Sequence, residues 1–293
     1  MMVLGFPGSV DQAGALAAAM PAPFAAVEVH RFPDDECRVR LPPDLPREVV
    51  FFCSLYQPDH KLVELMLAAA TARDQGVERI TLVAPYLCYM RQDKAFRPGE
   101  AVSQRVVGGF IASLVDRLVT VDPHLHRVAT LAQAVPVADA VCLSASAAMG
   151  AFLSQRPGRP LLLGPDEESK QWVAAVAAVG GLDYGVARKQ RGGDRSVTIS
   201  LPERDWQGRE VVLVDDMAAT GRTLAAAAVA LRERGARDVH VLVTHPLFAG
   251  DAESHLHKAG VTQVWSTDSI PHGSNAIALA PLLANALAGG LTE

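Results

Sequence analysis

Short, nearly unbroken apolar runs punctuate the chain at residues 49–55, 80–86, 118–121, 161–163, 211–214, 239–243 and 261–265. Strands with one wet face alternate apolar and polar residues; these runs do not, which predicts strands buried on both faces. Between them, over residues 62–73, 102–115, 168–179 and 223–234, apolar residues recur at the spacing of one helical face. Strand and helix alternate, so the pattern predicts an α/β fold of parallel sheets covered by helices. Ser9 followed by Gln12 has the form of a capping box. Gly76, Gly235 and Gly260 fall where helices need a residue that tolerates a left-handed backbone.

One echo organises the chain. REVVFFCSL from Arg47 and REVVLVDDM from Arg209 each lead into a helix, a glycine, another strand and a proline, in VAPYL and VTHPLF. This predicts two similar domains, 1–144 and 145–293, each a mainly parallel sheet flanked by helices. The length of 293 residues suits two domains of ordinary size. The copies differ where chemistry would sit: the second carries Asp215, Asp216, Thr220, Gly221 and Thr223, the first Cys53, Ser54, Leu55 and an ordinary helix entry.

Composition narrows the classes. With 49% hydrophobic and 20% charged residues, neither disorder nor a fibre is expected. Lys and Arg total 27 against 32 Asp and Glu, so no overall electrostatic grip on nucleic acid is expected. Cys37, Cys53, Cys88 and Cys142 are scattered, with no C-x-x-C pair, which fits a reducing cytoplasm better than a disulfide framework or zinc knuckle. The start of the chain has no secretory pattern, and the apolar stretch 276–291 is broken by Pro281 and Asn285, so a final packed helix is expected there rather than a membrane span.

VVLVDDMAATGRTL reads as a strand ending in two acids, a loop containing Gly and Thr, then a helix. Backbone N–H groups at a helix N-terminus, helped by the hydroxyls of Thr220 and Thr223, cradle a phosphate without a cationic side chain. Asp215 and Asp216 would repel a bare phosphate, and instead suit sugar hydroxyls or a metal-bound ligand; a phosphorylated sugar meets both demands. Acids capping a helix beside a loop are the plainer alternative. Arg91, Lys94 and Arg97 gather positive charge on one loop, as a triphosphate requires or as a solvated loop tolerates. ARKQRGGDRSV packs Arg188, Lys189, Arg191 and Arg195 around two glycines, a segment that reads as mobile between strands, or as a solvated β-turn. No G-x-x-x-x-G-K-[ST] sequence is present, so ATP would have to be held without a P-loop.

The acid–glycine segment resembles the phosphoribosyl-diphosphate loop shared by type I phosphoribosyltransferases and the ribose-phosphate diphosphokinase family. An ordered series then resembles the diphosphokinases alone: RFPDDE (31–36), YMRQDKAFRPGE (89–100), VDPH (121–124), GPDEES (164–169), RKQR (188–191), THPLFAG (244–250) and STDSI (266–270). The resemblance covers nearly the whole chain and implies a type I phosphoribosyltransferase-like fold. It also implies transfer of the diphosphoryl group of ATP to the C1 hydroxyl of ribose 5-phosphate, giving 5-phosphoribosyl 1-diphosphate and AMP. By that resemblance ATP is contacted by Asp34, Asp35, Glu36, Arg91 and Gln92. Ribose 5-phosphate falls to Arg191, Asp215, Asp216, Ala219, Thr220, Gly221, Arg222 and Thr223, and Mg²⁺ to His124 and Asp166. Lys189 and Arg191 are the catalytic cations, and a homo-oligomer is expected, without nucleic-acid or membrane partners. Asp35, Glu167, Glu168, Ala219 and Arg222 depart from the commoner pattern and suggest a divergent, shorter archaeal-like branch. A phosphoribosyltransferase consuming the same diphosphate, or a non-catalytic regulatory subunit, are the rivals.

Overall fold

A computed structural model of the protein describes residues 1–192 and 196–289. It contains two compact units, one of Met1–Leu143 joined by the segment from Leu279 onward, the other of Ser144–Ala278. The first is built from β1 (Met2–Gly5), α1 (Val10–Ala19), β2 (Phe24–Ala26), β3 (Glu28–Arg31), β4 (Cys37–Arg40), β5 (Glu48–Phe52), α2 (Pro58–Asp74) and β6 (Arg79–Ala84). It continues with α3 (Ser103–Leu114), β7 (Arg117–Val121), α4 (Leu131–Ala134) and β8 (Asp139–Leu143). Six of these strands form a parallel sheet in the order β2-β1-β5-β6-β7-β8, while β3 and β4 make a separate antiparallel ribbon.

The second unit runs α5 (Ser146–Ser154), β9 (Leu161–Gly164), α6 (Lys170–Gly180), β10 (Tyr184–Val186), β11 (Arg188–Gly192), β12 (Ser196–Ser200) and β13 (Glu210–Met217). Then follow α7 (Arg222–Glu233), β14 (Asp238–His245), α8 (Ala252–Lys258), β15 (Val261–Thr267) and β16 (Asn275–Ile277). Its parallel sheet has the order β10-β9-β13-β14-β15-β16, again with one separate ribbon, β11-β12. Strand for strand this is the order of the first sheet, so the REVV echo marks a repeated topology, with β5 and β13 in the same place.

The apolar runs are central strands, whose residues Phe51, Leu82, Leu118, Leu213 and Val241 are fully buried. Burying one such Leu or Phe contributes about 1.5–3 kcal/mol, so a charge at any of these positions would break its sheet. Gly76, Gly235 and Gly260 take φ of +85°, +83° and +88° after α2, α7 and α8. Three expectations change. The last helix, α9 (Ala280–Leu287), expected from the sequence in the second domain, belongs to the first unit and packs on α1. Ser9 precedes α1 but does not cap it with its side chain; its Oγ accepts the Ser54 N–H at 3.1 Å. The segment expected as a mobile loop or β-turn has Arg188, Lys189 and Arg191 in a ribbon strand, Lys189 opposite Ile199 and Arg191 opposite Val197. Gly193 and Arg195 of that segment lie outside the described residues.

Candidate functional site

The C-terminal end of β13 delivers Asp215 and Asp216, and a short loop of residues 218–221 turns directly into α7. Gly221 is the helix N-cap at φ +67°, a conformation that residues with a Cβ adopt at a cost, and a Cβ there would meet Ala252 O and Leu256 Cγ, each at 3.4 Å. The loop is pinned from one side. Ala218 N–H donates to His245 O at 3.1 Å, Phe248 N–H to Ala218 O at 2.8 Å and Ala249 N–H to Ala219 O at 2.9 Å. All described peptides are trans, so with the carbonyls of Ala218 and Ala219 turned toward residues 248–249, the N–H groups of Ala219 and Thr220 face the opposite side. Beside them stand the first N–H groups of α7, which have no acceptor within a helix, and the hydroxyls of Thr220 and Thr223. Such an arrangement is chemically able to receive an anion.

Asp216 is buried and its N–H donates to Asp215 Oδ1 at 3.0 Å. Burial first, then the charges of Asp216 and Asp166, hold the Asp215 carboxyl well above the usual carboxylate range. Asp166 lies between β9 and α6. Its Oδ1 accepts the N–H groups of Glu168 at 3.2 Å and Ser169 at 3.3 Å, leaving Oδ2 at 3.9 Å from Lys189 Nζ. The same ammonium donates to Thr223 Oγ1 at 3.0 Å. One lysine of the ribbon thus links the Asp166 turn to the start of α7. The crowded carboxylates are oxygen donors with repulsion still to be relieved, a set that suits a hard divalent cation. Among the described residues no group of three or more His, Cys, Asp or Glu forms a ready-made metal site, so a cation here would draw further oxygens from a ligand.

In the first unit, Asp34, Asp35 and Glu36 form the tip of the β3-β4 ribbon. Phe32 N–H donates to Glu36 O at 2.8 Å, Asp35 N–H to Phe32 O at 3.0 Å, and Glu36 N–H to Asp34 Oδ1 at 3.2 Å. Asp35 has φ +67°, a left-handed backbone that aspartate tolerates better than most residues with a side chain. Between this tip and α2 lies a cavity of about 650 Å³ lined by Arg31, Asp35, Glu36, Cys37, His60 and Val63. Its wall is stiffened where Arg31 Nη2 pairs at 2.6 Å with the buried Glu64.

Arg91 and Gln92 lie between β6 and α3. Gln92 O accepts the Gln104 N–H at 3.2 Å, and Ser103 Oγ donates to Gln92 Oε1 at 3.3 Å, while Arg91 is exposed. The loop's acids are already engaged: Asp93 pairs with Arg127 at 2.5 Å, and Glu100 Oε2 accepts the N–H groups of Phe96 and Arg97 at 2.8 and 3.1 Å. The Arg127 pair ties this loop to the segment after β7 that carries His124, whose ring lies 4.3 Å from that of His126. No hydrogen bond or ion pair joins Arg91 or Gln92 to Asp34, Asp35 or Glu36 among the described residues. His124 belongs to the first unit and Asp166 to the second.

The structure therefore assembles Asp166, Lys189, Asp215, Asp216 and residues 219–223 within one unit. Arg222 is exposed at the first position of α7, and the Arg191 side chain lies outside the described residues. Unforeseen were the Lys189–Thr223 bond and the pinning by Phe248 and Ala249; the only signal was the motif THPLFAG, which carries both residues but names no role for them.

Known proteins resemble this chain throughout. The model for the N-terminal domain of ribose phosphate pyrophosphokinase matches residues 1–114, and that for the phosphoribosyl synthetase-associated domain residues 200–282. The ribose-phosphate pyrophosphokinase of Methanopyrus kandleri is 38% identical across 98% of both chains. That of Halobacterium salinarum is 35% identical, covering 98% of this chain and 100% of its own. The crystal structure of phosphoribosylpyrophosphate synthetase from Mycobacterium smegmatis superposes with a TM-score of 0.82 over 98% of this chain and 97% of that one, at 24% identity, a likeness of fold.

Proposed function

Because the chain belongs to the ribose-phosphate pyrophosphokinase family, we propose that it transfers the β,γ-diphosphoryl group of ATP to the C1 hydroxyl of ribose 5-phosphate, releasing 5-phosphoribosyl 1-diphosphate and AMP. The observation that carries this reading is the pinned loop of residues 218–223 under two strand-end acids: it is built for a sugar phosphate. The N–H groups of Ala219 and Thr220, with Thr220 and Thr223 Oγ, receive the 5-phosphate, and Gly221 permits the turn. Arg222, exposed beside them, is a further cation for the same phosphate. Asp215 and Asp216 accept from the ribose hydroxyls and orient C1–OH for in-line attack on the β-phosphorus, so that the new O–P bond forms as the bond to the AMP oxygen breaks and the C1–OH proton is released to solvent. Lys189 and Arg191 offset charge on the bridging oxygens as it develops.

Nucleotide contacts are assigned to Asp34, Asp35 and Glu36, supported by the cavity against α2, and to Arg91 and Gln92 on the braced loop. Magnesium, when bound, would screen the polyphosphate charge; Asp166, with its oriented Oδ2, and His124 are its assigned protein contacts. A homo-oligomer is consistent with the exposed Phe32, Val63, Met66 and Val106 of the first unit. A cytoplasmic location is consistent with four unpaired cysteines. Among the described residues no helix is long and apolar enough to cross a membrane.

The test is the stoichiometric appearance of AMP and phosphoribosyl diphosphate from magnesium, ATP and ribose 5-phosphate. Diphosphate release with a nucleobase instead would make the protein a phosphoribosyltransferase. Lys189→Ala is expected to lower kcat by about 100- to 1,000-fold. Turnover within a few-fold of the parent would remove Lys189 from its role.

A further inference from the structure

The phosphate loop does not hold its shape alone, since the groups that orient it belong to Phe248 and Ala249. Phe248 is itself in an unfavourable place, a non-glycine residue at φ +30°, so something must hold it there. Phe248 belongs to the apolar core of this unit, and the aromatic ring packed on its own is that of His272, with the centroids 4.9 Å apart at an interplanar angle of 43°. His272 is firmly seated. Ser274 N–H donates to its Nδ1 at 3.1 Å, and Ser274 Oγ lies 2.8 Å from the same nitrogen. With Nδ1 accepting, the neutral ring carries its proton on Nε2, which faces Glu253 Oε2 at 3.5 Å.

Behind the histidine, the β15–β16 connection is tied by Asn275. Its Nδ2, with two hydrogens to give, lies 2.6 Å from Thr267 O, 3.0 Å from Ser266 Oγ and 3.1 Å from Ile270 O, while its Oδ1 accepts the His272 N–H at 2.9 Å. Glu253 stands on α8, next to Ala252. The histidine thus braces the loop through Phe248, whose backbone and that of Ala249 hold Ala218 and Ala219.

We infer that His272 is a positioning residue for ribose 5-phosphate: its ring holds Phe248 so that the N–H groups of Ala219 and Thr220 face the sugar phosphate before it arrives. The inference rests on the function proposed for this loop. Pre-orientation acts on binding, because donors fixed in advance lose little freedom when the anion docks. It does not touch the transferring phosphoryl group, so its effect belongs in the affinity for the sugar phosphate and not in turnover.

Ribose 5-phosphate is titrated calorimetrically into the full chain, and initial rates of AMP formation are measured on the same preparations. His272→Ala is expected to weaken ribose 5-phosphate about tenfold in both Kd and KM, with kcat and the KM for ATP within about twofold of the parent. His272→Phe, which keeps a ring against Phe248, is expected to recover most of the loss, and Ser274→Ala, which loosens the imidazole, to lie between. Unchanged ribose 5-phosphate affinity in His272→Ala, or equal losses in kcat and in both KM values, would overturn the inference. Should His272→Ala not fold, Ser274→Ala decides: weaker ribose 5-phosphate binding at unchanged kcat supports the inference, and binding equal to the parent's overturns it. A parent that binds ribose 5-phosphate but makes no AMP refutes the proposed reaction while the titrations still judge His272; a parent that binds none refutes both.

Discussion

The strand ends after Phe52 and at Met217 occupy the same place in two sheets of identical strand order, yet their chemistry is opposite. In the first unit the end of β5 is filled. Cys53 and Leu55 are fully buried, Ser54 N–H is taken by Ser9 Oγ, and Lys61 from α2 donates its ammonium to Ser54 O at 2.7 Å. Burial lowers the Lys61 pKa and pushes the Cys53 thiol up to about 12. In the second unit the same end holds two crowded acids, and the N–H groups beyond them face outward. On the proposed function, a repeated α/β unit becomes a ligand site where the polar groups at its strand end are oriented by backbone from behind instead of being satisfied by the unit's own side chains.

Three substitutions sharpen this contrast. The largest expected effect is that of Gly221→Val, which puts a β-branched residue at φ +67° against Ala252 O: ribose 5-phosphate affinity should fall by about 100-fold or more, as read by calorimetry. A variant binding as the parent does would mean that the left-handed turn is not needed. Next is Asp215→Asn. A carboxyl whose folded pKa is raised favours the folded state fully below its unfolded pKa, and that advantage is lost as pH rises through the folded value. The ligand-free variant should therefore melt a few degrees above the parent at pH 8, with the gap closing toward pH 4, while ribose 5-phosphate binding weakens. A constant gap across that range would assign the gain to something other than charge. The smallest effect is expected from Lys61→Met, which keeps the stem but removes the bond to Ser54 O, costing about 1–2 kcal/mol in denaturant unfolding and sparing the kinetics. A large fall in kcat there would show that the filled strand end takes part in the reaction.

The central strands were legible because a strand buried on both faces leaves an unbroken apolar run, as in Val211–Val214. The edge strands β2, β10 and β16 have three residues each and leave no period to read. Capping illustrates the limit of pattern. Ser9 and Gln12 have the right spacing, but a closer partner, the Ser54 N–H, takes the hydroxyl. A complete capping box stands instead at Thr130 and Gln133, on a four-residue helix with no apolar stripe to announce it. At the site, the acids and the Gly–Thr turn were visible because the residue types themselves carry the chemistry. The Lys189–Thr223 bond spans 34 positions, and the pinning of Ala218 and Ala219 is made by backbone groups, which no side-chain motif reports.

The placement of α9 sets an order on biosynthesis. This helix lies against α1, and Arg117 of β7 donates to Ala286 O at 3.2 Å, yet the ribosome makes α9 only after the whole of the second unit. A nascent chain that has released its first sheet still shows the bare flank of α1, and that flank waits uncovered until the second sheet has been translated. The half of the molecule made first is therefore the half completed last.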